Sequence, residues 1–284
     1  GWVVGTLTRS HAFVAGTAYA FNGPHAQLTF AAPVGLNEVT VATTPQSVSG
    51  FTVGTPINRK YTITIPAGTY ESASLQLQYR DAELNGNDES VLKLYHFDTG
   101  LARWRTYGRT SLNGTENWVS RTALADVSGE WVLSSSPSIY TWVGGTSTAW
   151  ENAANWQDIT DGPAIAATTT PLSNDVAILG EVVPLNAPAI NSAVTVSSLQ
   201  FKGAGKTDLN LASGSLSVTN NLTAVGAGSS IVHMLSTNGN NLTVDGNLIL
   251  NDGNVGNSIS LVNTSGSIAV AGNIAHPAEA SVSL

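Results

Sequence analysis

Three stretches in the second half of the sequence follow one pattern: LSVTNNL at residues 216–222, LTVDGNL at 242–248 and IAVAGNI at 268–274. Each begins 26 residues after the one before it, and Leu235 and Leu261 keep the same interval. A period of roughly 20–50 residues with short β-patterned segments and Gly/Asn turns is typical of a parallel β-helix. We therefore predict β-helix repeats over residues 191–284, with coils of about 26 residues stacked about 4.8 Å apart.

An asparagine column accompanies the repeat, because Asn221, Asn247 and Asn273 occupy the same place in each copy. Equivalent turns of successive coils lie above one another, so side-chain amides there can hydrogen-bond to each other as a ladder. Asparagine also tolerates the left-handed backbone of such turns. We predict a structural ladder that needs no ligand. Since the third copy stops before its full length, we expect further coils to follow it in the native chain.

Three tryptophans, Trp142, Trp150 and Trp156, stand ahead of the repeats. The first coil of a β-helix has no predecessor, so its open apolar end must be covered, and large rings can do this. We predict that residues 140–190 form an N-terminal cap and the first coil, with these tryptophans as the cap. The alternative is that the rings stack on sugars.

The first half of the sequence predicts an antiparallel β-sandwich over residues 1–135, joined to the solenoid by a short polar linker at 136–139. Short segments with alternating apolar and polar residues are separated by turns, which favours about seven to ten strands. The segments are 3–8, 18–21, 27–30, 38–43, 60–65, 74–79, 91–97, 103–107, 118–121 and 131–133. With no helix predicted, the fold class is all-β.

The amino-acid composition argues against several classes of function and indicates a location. The 284 residues include 11% charged residues and no cysteine, and the net charge is −8. This charge argues against a nucleic-acid partner, and the missing cysteines exclude disulfides and thiolate chemistry. No apolar run is long enough for a membrane span. Low charge with Ser-, Thr- and Asn-rich strands is typical of β-structure exposed outside a cell, so we expect an extracellular or bacterial cell-surface location.

One acidic segment is a candidate calcium loop, the one cofactor that the sequence suggests. Its oxygen-bearing residues alternate around a glycine, as a hard cation requires: they are Asp81, Glu83, Asn85, Asn87 and Glu89. Leu92 stands where such a loop would place its bidentate glutamate. The alternative is a solvated hairpin turn built on Asn85 and Gly86.

A second candidate is the basic and aromatic cluster of Arg103, Arg105 and Tyr107, which share one face of a strand while Trp104 points to the other. Guanidinium groups and rings could bind a sugar or an acidic polymer. The alternative is an exposed arginine face over a buried tryptophan.

No residue is predicted to be catalytic. Between 190 and 284 the few charged residues are scattered, Phe201 is the single ring, and the five histidines of the chain show no metal-ligand spacing. A polysaccharide lyase or hydrolase would need clustered carboxylates and aromatic platforms.

The segment Tyr140-Thr141-Trp142-Val143-Gly144-Gly145, then Trp150 and Asn155-Trp156 ahead of the repeats, resembles the start of β-helical stretches in large exported bacterial proteins. Autotransporter passengers and Bacteroidetes-type surface adhesins are similar. The stretches at 57–63 and 79–86 resemble the sandwich modules of such proteins.

The lack of predicted catalytic residues, together with this resemblance, leads us to predict a non-enzymatic structural or adhesive segment that acts as a rigid spacer and contact module and can assemble into a fibre or layer. Its partners would be copies of itself, other surface proteins or glycans. The alternative is a carbohydrate-binding or polysaccharide-degrading β-helix protein.

Overall fold

The computed structural model describes residues 4–51, 54–226, 231–251 and 256–275. The chain divides into two compact units, Gly1–Ser136 and Pro137–Leu284. Strands dominate both units, and the helical elements in the described ranges are three 3₁₀ turns at Asp81–Glu83, Glu89–Val91 and Ala153–Asn155. The predicted all-β class is confirmed.

In its described residues, 4–51 and 54–136, the first unit contains eleven strands in two antiparallel sheets. They are β1 (Gly5–Ser10), β2 (Ala18–Ala20), β3 (Gln27–Ala31), β4 (Glu38–Thr44), β5 (Lys60–Thr64), β6 (Ser72–Gln78), β7 (Lys93–Asp98), β8 (Arg103–Gly108), β9 (Ser111–Asn113), β10 (Trp118–Leu124) and β11 (Gly129–Ser134). The six-stranded sheet has the order β1-β4-β5-β11-β7-β8, and the five-stranded sheet has the order β2-β3-β6-β10-β9.

Alternation of apolar and polar residues forms this sandwich, as the sequence predicts. Along β4, Val39 and Val41 are buried while their neighbours are more exposed. Leu28 of β3 and Leu75 of β6 face each other across the antiparallel ladder and both lie in the core. Because successive strand residues point to opposite faces, this pattern buries one face of each sheet.

The second unit is a parallel β-solenoid. Its strands are β12 (Ile139–Trp142), β13 (Trp156–Asp158), β14 (Ile165–Ala166), β15 (Val176–Leu179), β16 (Ala189–Ile190), β17 (Val194–Val196), β18 (Ser198–Lys202), β19 (Leu209–Leu211), β20 (Leu216–Val218), β21 (Leu222–Val225), β22 (Val232–Ser236), β23 (Leu242–Val244), β24 (Leu248–Ile249), β25 (Ser258–Val262), β26 (Ile268–Val270) and β27 (Ile274–Ala275).

Each coil contributes one strand to each of three parallel columns. Coil 1 is β15–β17, coil 2 is β18–β20, coil 3 is β21–β23 and coil 4 is β24–β26, and β27 continues the first column. In the third column Leu216, Leu242 and Ile268 are register partners, which confirms the predicted 26-residue spacing. Coil 1 is shorter, because Val194 pairs with Leu216 only 22 residues later. Leucine and valine side chains from the three columns fill the interior.

The first column begins differently from the other two. β12 pairs in parallel with β15 on one side and antiparallel with β13 on the other, and β13 pairs antiparallel with β14. The serines of the predicted linker are buried: Ser136 donates its N–H to Ser134 Oγ at 3.0 Å, and Ser138 donates its N–H to Asp175 Oδ1 at 2.7 Å.

Glycine is required at the turns that follow β23 and β26, because the main chains of neighbouring coils approach each other closely there. A Cβ placed on Gly246 would lie 2.3 Å from the carbonyl oxygen of Asn220, one coil away. A Cβ on Gly272 would lie 2.5 Å from the carbonyl oxygen of Gly246. The Gly246 N–H donates to that Asn220 oxygen at 2.8 Å, so the close approach is a coil-to-coil hydrogen bond.

We expect Gly246→Ala to destabilise the solenoid by about 1–3 kcal/mol. The new methyl group would collide with main-chain atoms, which cannot rotate away as a side chain can. Gly145→Ala is the matched control, since its Cβ would lie 3.3 Å from the nearest atom. Urea unfolding followed by far-UV circular dichroism measures both. Equal losses in the two variants would contradict the close-approach explanation.

Candidate functional site

The asparagine column joins consecutive coils through main-chain amides. Asn221 Oδ1 accepts the N–H of Asn247 at 2.8 Å, and Asn247 Oδ1 accepts the N–H of Asn273 at 2.9 Å. The structure thus brings the three predicted residues into one column, but the bonds differ from the predicted ladder of amide to amide. The reason is that the next coil presents its turn N–H directly to the carboxamide oxygen, and this N–H has no strand partner there.

The carbonyl groups of the same residues complete the link. Asn247 C=O accepts the N–H of Leu222 at 3.0 Å, and Asn273 C=O accepts the N–H of Leu248 at 2.9 Å. Asn247 and Asn273 therefore each connect their coil to the preceding one through both the N–H and the C=O, and Asn221 does so through its C=O, which accepts the N–H of Leu199 at 3.1 Å.

The structure contains a second polar column, which we did not predict from the sequence. Asn241 Oδ1 accepts both the N–H of Ser267 at 3.1 Å and its hydroxyl at 3.0 Å. The two residues are again 26 positions apart, so the period could have revealed them, but a serine in place of asparagine conceals the match. Turns at both ends of the third column thus carry side-chain bonds between coils.

We expect Asn247→Ala to cost about 1 kcal/mol, because the N–H of Asn273 loses its acceptor. This corresponds to a fall in Tm of about 2–4 °C for a unit of this size. Thr243→Ala is the control: the residue points outward, and its register partner Ala269 is already alanine. Differential scanning calorimetry compares them, and an equal or larger loss in the control would contradict a stabilising role of the ladder.

The three predicted cap tryptophans form one buried cluster. Trp150 and Trp156 meet edge to face with ring centroids 4.5 Å apart, and Trp142 and Trp156 do so at 5.1 Å. All three are at most 1% exposed and belong to the same core as the leucines of the coils. Because no ring face is open to solvent, stacking on a sugar is not supported, and the position supports a capping role.

Two indole N–H groups of the cluster fasten loops. Trp142 Nε1 donates to the carbonyl oxygen of Asn186 at 2.8 Å, and Trp156 Nε1 donates to that of Trp150 at 2.9 Å. Trp150 Nε1 has no partner within the described residues.

Asn155 holds the loop that carries Trp150, a role that sequence reasoning missed. Its Oδ1 accepts the N–H groups of Thr146 and Ser147 at 2.9 and 3.0 Å, and its Nδ2 donates to the carbonyl oxygen of Ala149 at 2.8 Å. The side chain is completely buried, so these bonds satisfy groups that water cannot reach.

Glu151 ties the same loop to the turn after β16. Its Oε1 accepts the N–H groups of Asn191 and Ser192, both at 2.8 Å. Partial burial alone would raise the pKa of Glu151, but these hydrogen bonds to the charged form outweigh it and the pKa is lowered.

We expect Trp156→Phe to cost about 1 kcal/mol more than Trp150→Phe. Both changes remove similar ring area, but only Trp156 loses a buried hydrogen bond. Guanidinium unfolding monitored by circular dichroism compares the two variants. A larger loss for Trp150→Phe would show that packing, and not the loop attachment, dominates the cluster.

The candidate calcium residues do not converge on a common point. Glu83 is turned inward, where its two oxygens accept from Arg59 Nε and Nη2 at 2.7 and 2.6 Å in a buried bidentate pair. The others bond to separate partners: Asp81 to Asn117, Asn85 to the carbonyl oxygen of Pro56, Asn87 to Ser134 and Ser135, and Glu89 to Tyr79. The predicted calcium loop therefore has no support, because its residues do not converge and protein donors use oxygens of Asp81, Glu83, Asn87 and Glu89.

The Arg103, Arg105 and Tyr107 face is half-buried, not exposed. Tyr107 packs edge to face on Trp131 of the sandwich core with centroids 5.2 Å apart, and Arg105 Nη1 donates to Asp98 Oδ2 at 3.2 Å. Trp104 is buried against the opposite face with Tyr95 and Val132, as predicted. All three residues lie on β8, which is an edge strand of its sheet.

Two further kinds of site are absent from the described part of the chain. No three His, Cys, Asp or Glu side chains come together there as metal ligands. No helix in these ranges is long and apolar enough to cross a bilayer.

Comparison of the chain with known proteins gave no match to a family model, to a curated protein or to a solved structure. The architecture defines the chain as an all-β protein made of an antiparallel sandwich and a parallel β-solenoid. The resemblance to exported bacterial surface proteins remains a prediction.

Proposed function

We propose that the chain is a non-enzymatic structural segment of an extracellular bacterial surface protein, in which the solenoid is a rigid spacer and the sandwich a contact module. The observation that carries the proposal is the continuous bonding between coils. Register pairs run through all three columns, and asparagine side chains add bonds at the turns. Bending or shearing such a stack requires several hydrogen bonds to break together.

The outward surface of the third column fits a spacer. Its register positions carry Thr195, Ser217, Thr243 and Ala269, all small and uncharged. Identical charges at these positions would face each other about 4.8 Å apart and repel. An uncharged column favours stacking, whereas an acid–base site needs ionisable groups placed side by side.

The carboxylates of the solenoid also support a structural role. General acid–base catalysis on a polysaccharide requires two carboxyl groups facing one ligand. Here three of the carboxylates accept main-chain N–H groups at separate turns: Asp175 accepts from Ser138 and Leu172, Glu151 from Asn191 and Ser192, and Asp208 from Met234.

The proposal predicts no release of reducing sugar when the full chain is incubated with a panel of neutral and acidic polysaccharides. The heat-denatured chain sets the background. Release above that background would contradict the non-enzymatic assignment and favour a polysaccharide-degrading protein.

Electron microscopy and a glycan array then separate the two forms of contact. Ordered polymers without glycan binding would identify a scaffold that assembles with copies of itself. Gly246→Ala destabilises the solenoid at the turn after β23. Glycan binding that persists in this variant would therefore place an adhesive contact away from that turn. Neither polymers nor binding to glycans or surface proteins would contradict the contact-module half of the proposal.

A further inference from the structure

The outer face of the five-stranded sheet is uncharged along β2, β3 and β6. Leu28 of β3 and Leu75 of β6 point into the sandwich core, so the residues that alternate with them point outward. Six of these outward residues form three cross-strand pairs: Gln27 with Gln76, Thr29 with Ser74, and Ala31 with Ser72. The outward residues of β2 are alanines. We call the surface made by the three pairs the neutral face.

The hydroxyl groups of the neutral face have no protein partner. Thr29, Ser72 and Ser74 are half-buried, and no group of the described residues hydrogen-bonds to their hydroxyls. On the outer face of the six-stranded sheet, by contrast, the hydroxyls of Thr8 and Thr40 bond to each other at 2.8 Å. A free hydroxyl can both donate and accept, so three such groups are available to a ligand on the neutral face.

The two glutamines of the neutral face add oriented amide groups. Gln27 Nε2 donates to the carbonyl oxygen of Pro24 at 2.6 Å, and Gln76 Nε2 donates to that of His25 at 2.8 Å. These bonds fix both carboxamides and leave their oxygens as acceptors next to the hydroxyl groups. Hydrogen-bonding groups therefore occupy consecutive outward positions on β3 and β6.

A groove of about 140 Å³ opens on the neutral face. Thr29, Ala31, Ser72 and Ser74 line it together with Gly16. The Gly16 N–H donates to the carbonyl oxygen of Phe30 at 3.0 Å, which places this glycine beside β3. Because the lining side chains are small, a ligand in the groove can contact the hydroxyl groups directly.

An aromatic ring lies on the same side of the sheet. Trp118 and Ser120 of β10 are register partners of Gln78 and Gln76, so they also point outward. Trp118 is partly exposed, and its Nε1 donates to Glu116 Oε2 at 2.9 Å, which holds the ring in place. A large flat ring can pack on the apolar C–H face of a sugar.

We propose that the neutral face and Trp118 bind a neutral polysaccharide chain. The inference rests on the proposed function, because it assigns the adhesive contact of the contact module to this sheet and names its ligand class. Free hydroxyl and amide groups match the hydroxyl groups of a neutral sugar. An acidic polymer would need cationic groups, and the neutral face has none.

A second copy of the chain is a poorer match for this surface. Interfaces between copies have apolar centres, whereas hydroxyls and amides dominate the neutral face. The outer face of the six-stranded sheet differs in charge and in cover: Lys60 and Glu130 form an ion pair there, and Val48 and Phe51 pack against the cluster that contains Trp104. That face therefore serves as the control surface.

Affinity electrophoresis of the full chain in native gels tests the proposal. The gels contain starch, a mixed-linkage β-glucan, a galactomannan or the acidic polymer polygalacturonate, and a gel without polysaccharide gives the reference mobility. We expect at least one neutral polysaccharide to retard the chain more than polygalacturonate does. Retardation by none of the neutral polysaccharides, or stronger retardation by polygalacturonate, would overturn the proposal.

Thr29→Lys places a long charged side chain in the groove, and we expect it to weaken binding about tenfold, the equivalent of about 1.4 kcal/mol. Thr62→Lys is the matched control, because Thr62 is a half-buried threonine on the outer face of the other sheet and the charge change is the same. Trp118→Ala should also weaken binding and leaves the groove intact. Equal binding by Thr29→Lys and Thr62→Lys would overturn the proposal.

Far-UV circular dichroism verifies that each variant is folded. If Thr29→Lys does not fold, Ser72→Lys replaces it, because Ser72 lines the same groove at the first residue of β6.

Electron microscopy of the same variants separates this inference from the proposed function. Polymers that form in the parent and in Thr62→Lys, but not in Thr29→Lys, would assign the neutral face to a second copy. This result would overturn the polysaccharide site and support the contact module. Reducing-sugar release would contradict the proposed function whether or not the neutral face binds.

Discussion

The hydrogen bond between parallel strands of neighbouring coils is the interaction on which the second unit depends. It fixes the distance between coils at about 4.8 Å, and this distance dictates the other sequence choices. Gly246 and Gly272 lie where main chains touch, so a side chain is excluded there. Apolar residues such as Leu216, Leu242 and Ile268 must fill the same interior level in each coil. Charge is scarce because any repeated charge would face its own copy.

The same constraint explains the polar residues at the turns. Strand pairing ends where the chain changes direction, so turn N–H groups need another acceptor. Asn221, Asn247 and Asn241 provide it with side-chain oxygens. At the corner between the first two columns, Asn257 instead donates its Nδ2 to the carbonyl oxygens of Gly203 and Val225. The coils therefore hold together at their turns as well as along their strands.

Much of this architecture could be predicted from sequence, because a coil must return to the same interior level after a fixed number of residues. The spacing of Leu216, Leu242 and Ile268 thus gives both the solenoid and its register. The sandwich followed from alternation, with one strand missed. β9 (Ser111–Asn113) has three residues and a single inward side chain, Leu112, which is too short for a period of two to be visible.

The candidate sites were harder to predict because their bonds join residues distant in sequence. The spacing of oxygen-bearing residues from Asp81 to Glu89 suits a cation. However, Glu83 accepts hydrogen bonds from Arg59, which lies 24 residues away in the sequence. The partner of each ladder asparagine depends on which group the next coil presents, and spacing alone does not contain this information. For His233, the sequence shows only an isolated histidine, and its contacts with Thr207 and Phe201 become visible only when the coils are stacked.

Cysteine pairing tests the stacked register most directly, because the chain has no cysteine of its own. In the double variant Ser217→Cys and Thr243→Cys, the thiols lie on adjacent coils at register positions, about 4.8 Å apart along the stack and within disulfide range. In Ser217→Cys and Ala269→Cys they are two coils apart, about twice that distance. We expect mild oxidation of the folded chain to give an intramolecular disulfide, detected by mass spectrometry, in the first variant and none in the second. A disulfide in the second variant, or its absence from a folded first variant, would contradict the 26-residue stack.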